Sequence, residues 1–334
     1  MPYQLNPSKI PIWKSETELA LGLSGQNQKL ADVSHAQERL IHLLFQGIPE
    51  DQLNHVGASV GLDEIETQEL ITQLRPSLLD QPTRRSEGTA LDVRFAEIIR
   101  IGFETDQTPE SVLARRAAAT VIVEQLNRTG LMVIKTLSEA GFCRFETTDY
   151  GFIKREDIGE LSFSPTQLGL SRLAATREIL STQTGKFIIN HSNPKIKKGL
   201  RISVLSAMHQ LNPRNYRAVE NPYIAIEYGI ENLRISQAIV PGLSPCLGCR
   251  DLWTAENDSN WAATAIQLTA RNDYLDDGAG LLMSSAIGAK TVCLFVDGEG
   301  KGSTSGYQVD LKNRSVQPYG WQFHPRCSCR SRSL

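Results

Sequence analysis

Residues 241–253 read Pro-Gly-Leu-Ser-Pro-Cys-Leu-Gly-Cys-Arg-Asp-Leu-Trp, and residues 324–329 read His-Pro-Arg-Cys-Ser-Cys. Each segment carries two cysteines on one short turn: Cys246 and Cys249, then Cys327 and Cys329. Structural zinc takes four tetrahedral ligands, and two close pairs of thiolates supply that set. Pro245 and Gly248 favour a tight turn at the first pair, and Pro325 stiffens the approach to the second. A zinc ion held by Cys246, Cys249, Cys327 and Cys329 would close the 77 residues between the pairs into a loop. It would tie the end of the chain to whatever element carries the first pair. Two other readings stand beside it. The pairs could be unrelated, or Cys246 and Cys249 could form a redox pair. A redox pair is expected at the start of a helix after the first strand of its fold, whereas this one comes late and follows an extended segment. His324 is a further ligand candidate, although four thiolates need no fifth. Cys143 and Cys293 lie among apolar residues and read as core.

The remaining composition is that of an ordinary globular protein. At roughly 150 residues per domain, 334 residues suggest two domains. A formal net charge of -2 and an acidic third helix argue against nucleic acid as a partner. The N-terminal residues lack the basic start and apolar core of a secretory signal. No window approaches 18 uninterrupted apolar residues, so no membrane span is expected. Cysteines spaced for metal rather than for disulfides fit a reducing, cytoplasmic setting.

From residue 10 to residue 30, short apolar runs read as strands. Three helices follow: His35 to Phe45, Glu50 to Val60, and one capped by Asp63 that carries Ile65, Leu70, Ile71 and Leu74. This order describes a small winged-helix-like domain over residues 1–85, with a linker from Asp80 to Gly88. Residues 89–117 fit strand or helix equally. In the second domain, residues 86–334, strand Ala119 to Glu124, helix Thr129 to Ala140 and strand Phe142 to Thr148 begin an alternation. Helix Ser164 to Ser181 and strands Phe187 to Asn190, Arg201 to Ser206 and Tyr223 to Tyr228 continue it. Such alternation predicts an α/β, Rossmann-like, mostly parallel sheet. One or two helices are expected between Trp261 and Phe295, and a hairpin arm near Gln308 to Val316.

Residues Ala119 to Asp149, the proline-rich segment before Cys246 and the final His-Pro-Arg-Cys-Ser-Cys together resemble the ThiF-type, ubiquitin-activating-like fold. The resemblance is to its azole-peptide branch, the bacteriocin cyclodehydratase-like proteins, and spans about two thirds of the chain. It implies an N-terminal module that recognises precursor peptides by strand addition. It also implies a homodimer, for which Leu281 to Phe295 offers an apolar stretch.

Active members of that family cradle ATP phosphates in a glycine-rich turn after the first strand. Here the turn reads Gln125, Leu126, Asn127, Arg128, Thr129, Gly130, and Gly130 alone keeps the pattern. Asp149 matches the ribose-binding carboxylate in position, although a lone aspartate at a strand end is also a common loop former. The family's magnesium aspartate falls at Met208 or His209, and no acidic residue occurs between Leu205 and Ala218. Gly130 and Asp149 are therefore expected to mark a vestigial nucleotide site, with ATP unlikely as cofactor and adenylation lost. The resemblance then points to a non-catalytic, zinc-stabilised scaffold for a peptide or protein partner. A separate enzyme of the YcaO type would modify that partner. The alternative is an adenylating enzyme with a divergent nucleotide site.

Overall fold

Residues 2–6, 9–22, 28–79, 95–104, 107–183, 185–193, 199–271, 273–298 and 305–331 are described by the computed structural model. They divide into two units, Met1–Ala114 and Arg115–Leu334. The sequence places that division near residue 85, and its linker, Asp80 to Gly88, lies outside the described residues.

In the first unit the apolar runs form β1 (Pro11–Trp13), β2 (Glu18–Leu21) and β3 (Gln28–Ala31), an antiparallel sheet in the order β1-β2-β3. Helix α1 (His35–Leu44) starts at a reciprocal cap in which Ser34 and Gln37 satisfy each other's backbone amides. Helix α2 (Leu53–Val60) ends at Gly61, whose φ of 100° most side chains would resist. Helix α3 (Glu64–Leu74) starts at the Asp63–Glu66 cap. Its inward face is Thr67, Leu70, Ile71 and Leu74, whereas Ile65 is 69% exposed. Ile71 and Leu74 pack with Leu19, Leu40 and Leu44 in the core, so neither lines an open groove. Residues left open by the sequence become α4 (Phe95–Glu104) and α5 (Pro109–Ala118).

The second unit alternates as expected: β4 (Thr120–Val123), α6 (Arg128–Glu139), β5 (Arg144–Thr147), α7 (Arg172–Ser181), β6 (Ile188–His191) and β7 (Arg201–Met208). It continues with α8 (Pro213–Ala218), β8 (Tyr223–Tyr228), β9 (Asn232–Ile235), α9 (Leu247–Asn257), α10 (Trp261–Ala270), α11 (Gly278–Asp297) and the hairpin β10 (Ser305–Asp310) to β11 (Ser315–Gly320). The sheet order is β11-β10-β9-β8-β7-β4-β5-β6. Strands β4 to β8 pair in parallel, and β9 to β11 are added antiparallel. Chain order reverses direction between β4 and β7, which opens a crevice at the carboxyl ends of those strands.

Helix α7 is shorter than the sequence implies. Gly169 takes a φ of 80° and Leu170 is exposed, so the helix begins only after Ser171. Helix α11 has the length and apolarity to cross a membrane, but more than half of it is buried inside the chain. Its Ala289, Val292, Cys293, Phe295 and Val296 join the core of the sheet, so the stretch reserved for a dimer mostly serves the chain itself.

One buried ion pair ties the start of this unit to its last long helix. Arg116, 2% exposed, donates through Nε and Nη2 to Asp297 at 3.0 and 2.6 Å, and through Nη1 to the Ala140 carbonyl at 2.9 Å. Removing one member of such a pair leaves an uncompensated charge and costs about 3–5 kcal/mol. Arg116→Met should therefore lower stability by about that amount in urea denaturation. A loss under about 1 kcal/mol, the range of a surface pair, would show that the bridge is solvated.

Candidate metal centre and ligand cleft

Cys246 is the residue on which α9 starts, and Cys249 lies in its first turn. The first pair therefore does sit at a helix start, and α9 itself was not expected from the sequence. A redox pair is consistent with that position alone, but the partners found there point elsewhere. Cys329 lies in the final turn, Ser328–Ser331, and Cys327 immediately precedes it. Sulfur atoms of all four lie within 4.8 Å of one another. Cys246 and Cys327 are 3.6 Å apart, and Cys249 and Cys329 are 3.4 Å apart. Bonds of about 2.3 Å to a tetrahedral zinc would separate the sulfurs by about 3.8 Å, whereas a disulfide needs about 2.05 Å. The four cysteines could thus hold one metal ion, and the soft donors suit zinc. Gly248 lets the pairs approach: a Cβ there would stand 3.3 Å from the Cys246 sulfur and 3.6 Å from that of Cys327. Burial pushes the Cys246 thiol up to about 11. A metal must displace such protons, so its binding is coupled to pH.

The arm that carries the second pair is locked from several sides. The Trp321 indole donates to the Cys246 carbonyl at 2.8 Å, and the Trp253 indole to the Gln322 carbonyl at 3.0 Å. His324 lies outside that group of four. It meets Trp253 edge-on at 4.5 Å, and its Nε2 lies 3.1 Å from Glu256.

The crevice at the strand ends is a cleft of about 860 Å3. Asp149 and the turn residues Gln125, Asn127 and Arg128 line it, Gly130 sits in the first turn of α6 outside that lining, and Gly130 and Asp149 are both engaged within the protein. The Asn127 side chain caps α6 by accepting from the Gly130 amide at 3.0 Å. A Cβ on Gly130 would stand 1.9 Å from the Gln125 carbonyl oxygen, so glycine serves close packing of the helix against the turn. Asp149 accepts from the Leu126 amide at 2.8 Å, the Gly151 amide at 2.6 Å and Arg172 at 3.2 Å. Arg172 also donates to Asp157 at 2.7 Å. Thr129 bonds the Tyr228 hydroxyl at 3.0 Å, which fixes the start of α6 to β8. Burial pushes that phenol up to about 12.

Several cleft residues were not legible beforehand. Asp273 and Asp276 come from the segment between α10 and α11 and supply carboxylates that the stretch 205–218 lacks. Asp273 meets His209 at 2.6 Å, and hydrogen bonds from Arg271 and His209 hold its carboxyl down at about 2. Asp276 and Glu124 are pushed up by burial, with Arg128 opposing the shift at Asp276. Arg128 Nε lies 3.9 Å from Asp276, beyond hydrogen-bond reach. No spacing in the sequence joins residues so far apart.

No family model matches this sequence, and no curated protein matches it either. Solved structures do match. The microcin C7 biosynthetic enzyme MccB in complex with N-formylated MccA aligns over 99% of this chain and 100% of its own, with a TM-score of 0.71 at 15% identity. E. coli MccB with ATP aligns over 99% and 100%, with a TM-score of 0.70 at 15% identity. PaaA aligns over 77% of this chain and 92% of its own, with a TM-score of 0.61 at 10% identity. The chain thus has the ThiF-like fold that its cysteine segments imply. MccB has been solved with ATP, so the expected absence of ATP here finds no support in these structures.

If Gly130 serves packing, Gly130→Ala should overpack the turn and cost about 1–3 kcal/mol in thermal or urea denaturation. Unchanged stability would free Gly130 for a role at a ligand.

Proposed function

We propose that this chain is a cytoplasmic, peptide-binding scaffold of precursor-peptide modification, stabilised by zinc at Cys246, Cys249, Cys327 and Cys329. It has set aside ATP-dependent adenylation, and a separate enzyme, of the YcaO type in this reading, modifies the peptide it presents. The likeness to MccB, solved with the peptide MccA, supports a peptide partner. Peptide recognition is assigned to the first unit. Among the described residues β3 has β2 as its only sheet neighbour, and Gln28 of β3 donates to the Gln73 carbonyl at the end of α3. An extended peptide added to the β3 edge would meet the exposed face of α3 that carries Ile65, Gln68, Glu69 and Thr72. The scaffold is read as a homodimer. Helix α10 buries none of its residues within the chain and offers Ile266 to a second copy.

The observation that carries the loss of adenylation is the turn 125–130. A phosphate cradle needs backbone amides left open by glycines. Here one amide at the helix start is taken by Asn127, another by Asp149, and the only glycine is spent on packing. The ribose-type carboxylate Asp149 is in turn shared among two amides and Arg172.

A second reading is an adenylating enzyme with a divergent nucleotide site. Asp273 and Asp276 favour it, because they return carboxylates to the side of the cleft where the local sequence has none. Isothermal titration of ATP-magnesium into the zinc-loaded protein separates the two. The scaffold reading expects no saturable heat. Saturable binding in the micromolar range, followed by peptide-dependent pyrophosphate exchange, would establish the enzyme instead.

A further inference from the structure

Cys249, Arg250 and Asp251 are consecutive on α9. The first belongs to the thiol cluster, and the other two reach the wall of the cleft. Arg250, 5% exposed, pairs with Glu227 of β8 through Nη1 and Nη2, and its Nε donates to Asp251 at 3.1 Å. Glu227, 1% exposed, accepts from the Leu211 amide at 2.8 Å. Burial opposes its charge, and Arg250 with Arg234 outweighs that, so the carboxyl is held below its ordinary value. Asp251 accepts from the Gln210 side-chain amide at 3.1 Å and from the Tyr216 hydroxyl at 2.7 Å. Gln210 and Leu211 line the cleft. Charge-assisted hydrogen bonds thus lead from Arg250, the residue after Cys249, to that wall.

The wall needs such support. His209 holds a φ of 61°, a strained value for a residue with a side chain, and the Gln210 amide turns back onto the Met208 carbonyl at 2.8 Å. Strain of this kind persists only where the surroundings over-determine it. The same run of bonds also fixes a polarity. With its amide nitrogen committed to Asp251, the Gln210 carboxamide must turn its oxygen the other way. That Oε1 is buried, the residue is 3% exposed, and no hydrogen-bond partner meets the oxygen among the described residues. A buried acceptor without a donor is costly, so the carboxamide keeps this orientation only while Asp251 holds its nitrogen.

We infer that Asp251 is a positioning residue that fixes Gln210 and the adjoining segment 209–216 in the wall of the cleft, and that the metal in the thiol cluster fixes this arrangement. The inference goes beyond the scaffold reading and holds whichever ligand the cleft takes. It rests on the four thiolates carrying a metal, which elemental analysis of the same sample tests separately.

Hydrogen–deuterium exchange of the full chain reads the wall directly, because the Leu211 amide is protected by the Glu227 side chain. Three samples are compared: zinc-loaded protein, chelator-stripped protein and zinc-loaded Asp251→Ala. Residues 209–216 should exchange about ten- to a hundredfold faster in the stripped protein and in D251A, while β5 and α6 keep their protection. Unchanged exchange over 209–216 in zinc-loaded D251A would overturn the assignment, as would stripping that loosens only the cysteine segments. If the stripped chain unfolds throughout, the zinc-loaded variant decides alone. If D251A does not take up zinc, Tyr216→Phe, which removes only the hydroxyl, is judged by the same two outcomes.

Discussion

Four thiols from segments about eighty residues apart in sequence meet within 4.8 Å, and the rest of the second unit is arranged around that meeting. One pair starts α9 and the other ends the chain, so the cluster closes the sheet's last hairpin and the terminal arm onto the body of the unit. Small residues and indoles make the approach possible: Gly248 leaves room between sulfurs, and Trp253 and Trp321 donate across the seam. A metal at that point adds its binding free energy to the folding free energy. It also anchors the helix whose next two residues, Arg250 and Asp251, support the ligand cleft.

The cleft lies at the carboxyl ends of the parallel strands. Crevices at the carboxyl ends of parallel strands are general binding places because strand order reverses there. Specificity lies in the side chains. In this protein the first turn is closed by its own Asn127 cap, Asp149 is shared among internal donors, and carboxylates come from the segment before α11. Polar side chains of the cleft's lining are held by that internal network, as Gln210 is by Asp251. This is why the likeness to MccB, a likeness of fold at 15% identity, does not carry the ATP chemistry across by itself.

Much of this was legible in the sequence where local patterns decide. The cap at Asp63, the stop at Gly61 and the alternation from β4 to β8 follow from short-range chemistry. The cysteine pairs were legible because metal ligation needs donors at tight spacing. Helix α9 was hidden by the prolines before it. Helix α7 was read too long because the positive φ of Gly169 breaks an otherwise periodic stretch. Ile65 and Ile71 look alike as letters, and tertiary packing alone exposes one and buries the other. The cleft was least legible of all. Arg172, Gln210, Asp251, Asp273 and Asp276 are ordinary polar residues until the fold brings them together.

The account depends most on the cluster being a metal site. Native mass spectrometry of the chain, purified under reducing conditions without added metal, counts the ions directly. The account predicts about one zinc per folded chain, as four thiolates require. A folded, metal-free chain with all six cysteines free, or with the pairs joined as disulfides, would contradict it.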